Sequence, residues 1–134
     1  YRKDDLIRLS AELDIKDKIH FLGFKSRDFI KNEMLNSDLF VLSSKYETFG
    51  VVVIEELACG VPCVASICGG PESIINDTNG KLFEVGNHIQ LAEKIEEALA
   101  TKYDRGKIRA DCLKLYGSKT FANKMNKLYS EIKQ

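Results

Sequence analysis

The sequence predicts an α/β fold in which a parallel sheet carries helices on both faces. Three observations lead there. Short apolar runs, "DLFVLSS", "CVAS" and "KLFEV", have strand length and little alternation, as strands covered on both sides do. Segments with apolar residues at helical spacing lie between and after them, and turn residues punctuate the joins. Strands alternating with helices are the pattern of parallel βαβ units. At 134 residues the chain is long enough for one domain with its own core.

Taken in order, Leu6, Leu9 and Leu13 recur at helical spacing, so the chain opens on an amphipathic helix. "KIHFLGF" then reads as a short strand ending at Gly23. Ser26 stands as N-cap of a second helix, "RDFIKNEMLNS", with Phe29, Ile30 and Met34 as its apolar side. "DLFVLSS" is a buried strand. The run from Phe49 to Cys59 is a helix stopped by Gly60, and "CVAS" is the next buried strand. "GGP" with Glu72 is a turn into a short helix, with Pro71 where a missing N–H is tolerated. "NDTNG" turns into the strand "KLFEV". Asn87 and Gln90 occupy capping-box positions before a helix with Leu91, Ile95, Ala98 and Leu99 inward. A helix around residues 107–116 ends at Gly117. Ser118 is placed to cap the last helix, whose stripe is Phe121, Met125, Leu128 and Ile132.

Composition narrows the function classes. Twenty basic residues balance twenty acidic ones, which gives no field favouring nucleic acid or an anionic membrane. No run approaches the roughly 18 apolar residues of a membrane span, and the N-terminal residues lack the apolar core of a leader, so the expected location is cytoplasmic. Cys59, Cys63, Cys68 and Cys112 match no zinc spacing and are expected as reduced, buried thiols; no metal site and no cofactor are expected.

Ligands of parallel sheets collect outside the carboxyl ends of the strands. That directs attention to the loops around Phe24, from Ser43 to Phe49, from Ser66 to Pro71, and after Val85. Glu47 lies in the second of these loops. Glu55 sits on the helix that follows, on one face with Val51 and Ala58. At 1.5 Å of rise per residue the two carboxylates stand on the order of 10 Å apart, the span of a sugar, a diphosphate and a ribose. Between them the first helix amides, expected at Phe49, Gly50 and Val51, carry the positive end of the dipole and have no intrahelical acceptor. Gly50 lets an anion approach. Glu55 has a use if it accepts from ribose hydroxyls. The plain alternative is that Glu55 or Glu56 marks a solvated face, and periodicity alone leaves both readings open.

Glu47 and Glu55 with seven residues between them stand in register with Phe49-Gly50, Cys59-Gly60-Val61-Pro62, Gly69-Gly70, Glu72 and Asn79-Gly80. In this combination the chain resembles the C-terminal, donor-binding domain of retaining GT-B glycosyltransferases of the family 4 type, which carry an E-x7-E motif. The resemblance runs from "KIHFLGF" to the last helices. It implies a Rossmann-like sheet and transfer of a sugar from a nucleotide-diphosphate sugar to an acceptor, as in polysaccharide or glycoconjugate biosynthesis. It implies Glu47 as the catalytic group facing the transferred sugar, backbone contacts from Phe49, Gly50 and Val51 to sugar and diphosphate, and Glu55 on the ribose. It also implies Phe24 beside the base, with Gly69 and Gly70 shaping the crevice. The substrate is the nucleotide sugar, with no metal required.

Two departures accompany the resemblance. Glu56 stands where the family usually has Ala, and Asn87 replaces a common Asp. The family's first strand-helix-strand unit, with its diphosphate-clamping Arg and Lys, and its N-terminal acceptor domain have no counterpart here. The expectation is therefore a fragment, residues 1–134, of the donor domain: inactive alone, able to self-associate through an uncovered sheet edge, and meeting a saccharide, lipid or protein acceptor, or a membrane, only through the absent domain. A non-catalytic nucleotide-sugar-binding or scaffolding module is the alternative. A receiver or flavin-binding domain fares worse, because a receiver needs an acidic cluster after its first strand.

Overall fold

The structure, a computed structural model, describes residues 3–132, with side chains through residue 130. It divides into two units, residues 1–30 and 31–134.

In the first unit, helix α1 (Lys3–Glu12) is followed by a single 3-10 turn, Lys16–Lys18. Leu6, Leu9 and Leu13 line a small apolar cavity of about 150 Å³ with Ile15, Ile19 and Phe21. The strand predicted over residues 18–24 does not form: Lys18 closes the turn, and residues 19–22 run without ladder partners among the described residues. A strand needs a neighbour to accept its hydrogen bonds, so an apolar run alone does not make one. Helix α2 (Arg27–Asn36) begins as predicted, the Ser26 hydroxyl accepting from the Phe29 N–H at 3.3 Å.

The second unit holds a three-stranded parallel sheet, β1 (Phe40–Leu42), β2 (Cys63–Ser66) and β3 (Gly80–Phe83), in that spatial order. Phe40 pairs with Cys63 and Cys63 with Gly80, so the strands begin level. β2 is buried throughout, as its unbroken apolar run predicts. β1 is an edge, and Val41 is 40% exposed, so this strand is not covered on both faces as expected.

Helix α3 (Val51–Ala58) crosses from β1 to β2, and α4 (His88–Ala100), α5 (Arg105–Tyr116) and α6 (Ser118–Ile132) follow β3. Alternation along β2 divides the core. Cys63 and Ala65 pack with Val53 and Leu57 of α3 and Ile108 and Cys112 of α5. Val64 faces the other way, with Phe83 and Ala98, and Leu91 and Ile95 close that side. Helices therefore cover both faces, and the predicted fold class holds.

Side chains fasten α5 to what it covers. Arg109 donates to the Ala58 carbonyl, and Arg105 donates to the carbonyls of Leu35 and Ser37 at 3.1 and 3.0 Å, satisfying acceptors at the end of α2. Asn87 caps α4 by accepting from the Gln90 N–H at 3.0 Å. Gln90 does not complete the predicted box. Its oxygen takes the Glu84 N–H instead, tying helix to strand end. Gly117 both closes α5 and opens α6, accepting from Phe121 at 3.0 Å, so the cap predicted at Ser118 falls one residue earlier. Leu99, Phe121 and Leu128 are more exposed than their stripes predict. Ile132 lies outside the described side chains.

Candidate functional site

The carboxyl ends of β1 and β2 are held together beyond their last ladder pair. The Ser66 hydroxyl donates to the Ser44 carbonyl at 2.6 Å, and Glu47 forms an isolated parallel bridge with Gly69, its N–H donating to the Cys68 carbonyl at 3.0 Å. This bridge brings two predicted site residues side by side. A Cβ added to Gly69 would lie 2.6 Å from the Glu47 carbonyl oxygen, and one on Gly70 would lie 2.4–2.7 Å from Phe49 backbone atoms. No side chain fits in that space. The two glycines permit this close approach of the backbones.

The helix starts at Val51, one or two residues later than the start near Phe49 or Gly50 that the sequence predicts. Gly50 is the N-cap of α3, left-handed at φ +84°, and Phe49 lies outside the helix. A left-handed cap turns the chain sharply into the helix, and glycine takes this conformation without steric penalty. The Phe49 ring meets Tyr116 edge-on at 6.4 Å between centroids. Among the described residues no group accepts from the N–H groups of Gly50, Val51 or Val52, whereas those of Val53 and Ile54 both donate to the Gly50 carbonyl. Phe49 precedes the helix, yet its N–H likewise has no acceptor among the described residues, so Val52 joins the three amides expected here.

Gly50→Ala keeps ordinary packing distances, the nearest atom being Ile74 Cδ1 at 3.4 Å, but forces a side chain into left-handed backbone. The expected result is a loss of about 1–2 kcal/mol in stability, read by urea unfolding.

Glu47 is half-buried, and its carboxylate has no partner among the described residues. Glu55, on the second turn of α3, is exposed and equally unpaired. Glu56 is the buried acid. It is 4% exposed, its Oε2 atom has no hydrogen-bond partner, and burial, aided by the charge of Glu55, raises its carboxyl pKa to about 7. Burial also pushes the Cys63 thiol up, with the Glu56 charge adding to it. Of the two adjacent acids, the one free to meet a ligand is thus Glu55. The departure noted for the resemblance at Glu56, an acid in place of Ala, was the available signal that this position faces inward.

Glu72, in register with the motif but given no role by the sequence, makes contacts that the sequence did not suggest. Its carboxylate accepts from the Gly69 N–H at 2.9 and 3.1 Å and from the Cys68 N–H at 3.3 Å. The Gly69 amide is thereby occupied by the protein itself. Phe24, in the first unit, is fully exposed.

This geometry puts unaccepted amides, a left-handed glycine and two unpaired carboxylates beyond the carboxyl ends of parallel strands. The sequence profile of a family described as "Glycosyl transferases group 1" matches residues 2–114. The chain belongs to this family. It is 38% identical over 95 residues to N-acetyl-alpha-D-glucosaminyl L-malate synthase of Bacillus anthracis, covering 70% of this chain and 24% of that protein. To D-inositol 3-phosphate glycosyltransferase of Mycolicibacterium smegmatis it is 37% identical over 97 residues, 72% of this chain and 22% of the relative. Among solved structures, HepE of Anabaena in complex with UDP superposes with a TM-score of 0.80 at 25% identity, over 96% of this chain and 36% of that one. The group 1 chain thus spans about a quarter of the length of these curated relatives. Among its described residues no helix is long and apolar enough to cross a membrane.

Proposed function

We propose that this chain is part of the donor-binding domain of a retaining, family 4-type glycosyltransferase, and that its parent protein transfers a sugar from a nucleotide-diphosphate sugar to an acceptor. The observation that carries the reading is the amino end of α3, where Gly50, Val51 and Val52 offer amides with no acceptor between the unpaired carboxylates of Glu47 and Glu55. Helix amides and the helix dipole favour a diphosphate there. Glu55, one turn further on, accepts from the ribose hydroxyls. Glu47 and Glu55 constitute the E-x7-E pair.

Glu47 faces the transferred sugar. As the bond to the diphosphate breaks, positive charge develops at the anomeric carbon and negative charge on the leaving oxygen. A carboxylate near the first and amides at the second stabilise that separation. Gly69 and Gly70 form the wall against which Glu47 and Phe49 are set. The role of Phe24 beside the base rests on the family resemblance alone.

An earlier strand-helix-strand unit of the donor domain pairs with the open side of β1 and supplies a basic clamp for the diphosphate, and a separate domain binds the acceptor. Without them the fragment binds weakly and does not turn over.

The test is a thermal-stabilisation scan of nucleotide sugars on the full-length protein, since a ligand that binds the folded state raises its melting temperature. With the best ligand, Glu55→Ala is expected to weaken nucleoside-diphosphate binding by about 1.5–3 kcal/mol in calorimetry, the scale of hydrogen bonds to a charged group, and Glu56→Ala to change it little. The opposite order moves the ribose role to Glu56.

A further inference from the structure

The loop after β2 meets the backbone of Glu47 through three successive contacts. Glu72 reaches back from the short 3-10 turn Pro71–Ser73 to hold the amides of Cys68 and Gly69. The Cys68 carbonyl accepts from the Glu47 N–H at 3.0 Å. Gly69 and Gly70 lie so close to the carbonyl of Glu47 and to Phe49 that an added Cβ would fall within 2.7 Å of each. Cys68 is buried, so the loop is anchored at its start, while Glu72 is exposed and makes these bonds at the surface.

We propose that Glu72 is a positioning residue of the donor site: by fixing the Cys68 and Gly69 amides it sets the backbone of Glu47 and Phe49, and so the placement of the Glu47 carboxylate against the sugar. The physical reason is the strength of the link. Hydrogen bonds from amides to a carboxylate are stronger than neutral ones, and one carboxylate here holds two successive amides. Gly69, at φ +122°, sits in backbone that glycine enters and leaves freely, so without the carboxylate the loop has several conformations open to it. Movement of the Cys68 carbonyl then carries the Glu47 amide with it. Glu72 needs no contact with substrate for this role. The proposal rests on the reading of Glu47 as the group that faces the transferred sugar.

The experiment compares full-length wild type with E72A, E72Q and E47A. A reacting group misplaced by about 1 Å loses on the order of 100-fold in rate, so E72A is expected to lower kcat by about 10–100-fold with donor KM within about threefold. E72Q keeps one acceptor oxygen and is expected within about fivefold of wild type. Amide hydrogen exchange at Glu47 should quicken in E72A and stay near wild type in E72Q. The proposal is overturned by wild-type kcat in E72A, by a loss confined to donor KM, by equal losses in E72A and E72Q, or by unchanged exchange at Glu47. If E72A does not fold, the E72Q readings decide: both kcat and Glu47 exchange near wild type are required, and a 10-fold or greater loss of kcat overturns the proposal. E47A separates the two levels: full transfer by E47A removes the donor-site reading itself, whereas inactive E47A beside fully active E72A removes only the role of Glu72.

Discussion

Replacing Glu47 by Ala in the full-length protein is expected to reduce sugar transfer by about 100- to 1,000-fold, the scale seen when one electrostatic stabiliser of a transition state is removed. Affinity for the nucleoside diphosphate should stay within about twofold. The division follows from position. Glu47 is half-buried beside Gly69, its side chain has no partner, and it precedes the Gly50 cap by three residues, on the sugar side of the proposed diphosphate. An interaction made with the sugar and strengthened in the transition state appears in kcat and not in product affinity. Parallel steady-state kinetics and calorimetry check it. Equal loss of rate and of diphosphate affinity would place Glu47 on the nucleotide instead.

Glu56→Gln is expected to stabilise the protein by about 1–2 kcal/mol at pH 8, less than the pKa displacement by itself would give because solvent screens part of the charge. The Glu56 carboxyl titrates near 7 in the folded chain against 4.5 for its ordinary value. The folded state thus holds a proton that the unfolded state has released between those limits. Stability from this group is fully present below about pH 4.5, falls as pH rises toward 7, and is constant above. Gln has no such titration, so the gap between variant and wild type should open across that window and then stay level. Urea unfolding of both proteins from pH 4.5 to pH 8.5 measures this. A gap independent of pH, or a destabilised Gln variant at pH 8, would show that Glu56 is ionised and satisfied in the folded protein.

The elements most legible in the sequence are those whose signal is local. "CVAS" has no polar residue facing either side until its end, and it is the central, fully buried strand. Ser26 and Asn87 cap helices because a side-chain oxygen three residues before an amide suffices. The run over residues 18–24 is also rich in apolar residues but forms no strand, since pairing depends on a neighbour that the run does not specify. The same distinction applies at the site. Glu47, Gly50 and Glu55 are proposed from their order along one loop and helix, which is a local signal. Which of Glu55 and Glu56 faces inward depends on how α3 is turned against β2 and α5, and the helix starts later than the Phe-Gly pair suggests because Gly50 is left-handed. Glu72 was in view as a turn residue and as one of the motif positions, without a role. Its grip on Gly69 becomes evident only when the loop is folded back over three residues.

The amino end of α3 is proposed to hold the diphosphate while Glu55 holds the ribose. A crystal structure of the full-length protein with a bound nucleoside diphosphate tests it most directly. Phosphate oxygens within hydrogen-bonding distance of the Gly50, Val51 or Val52 amides, with both ribose hydroxyls on the Glu55 carboxylate, are the predicted result. A diphosphate seated away from that helix end, with Glu55 still facing water, would contradict it.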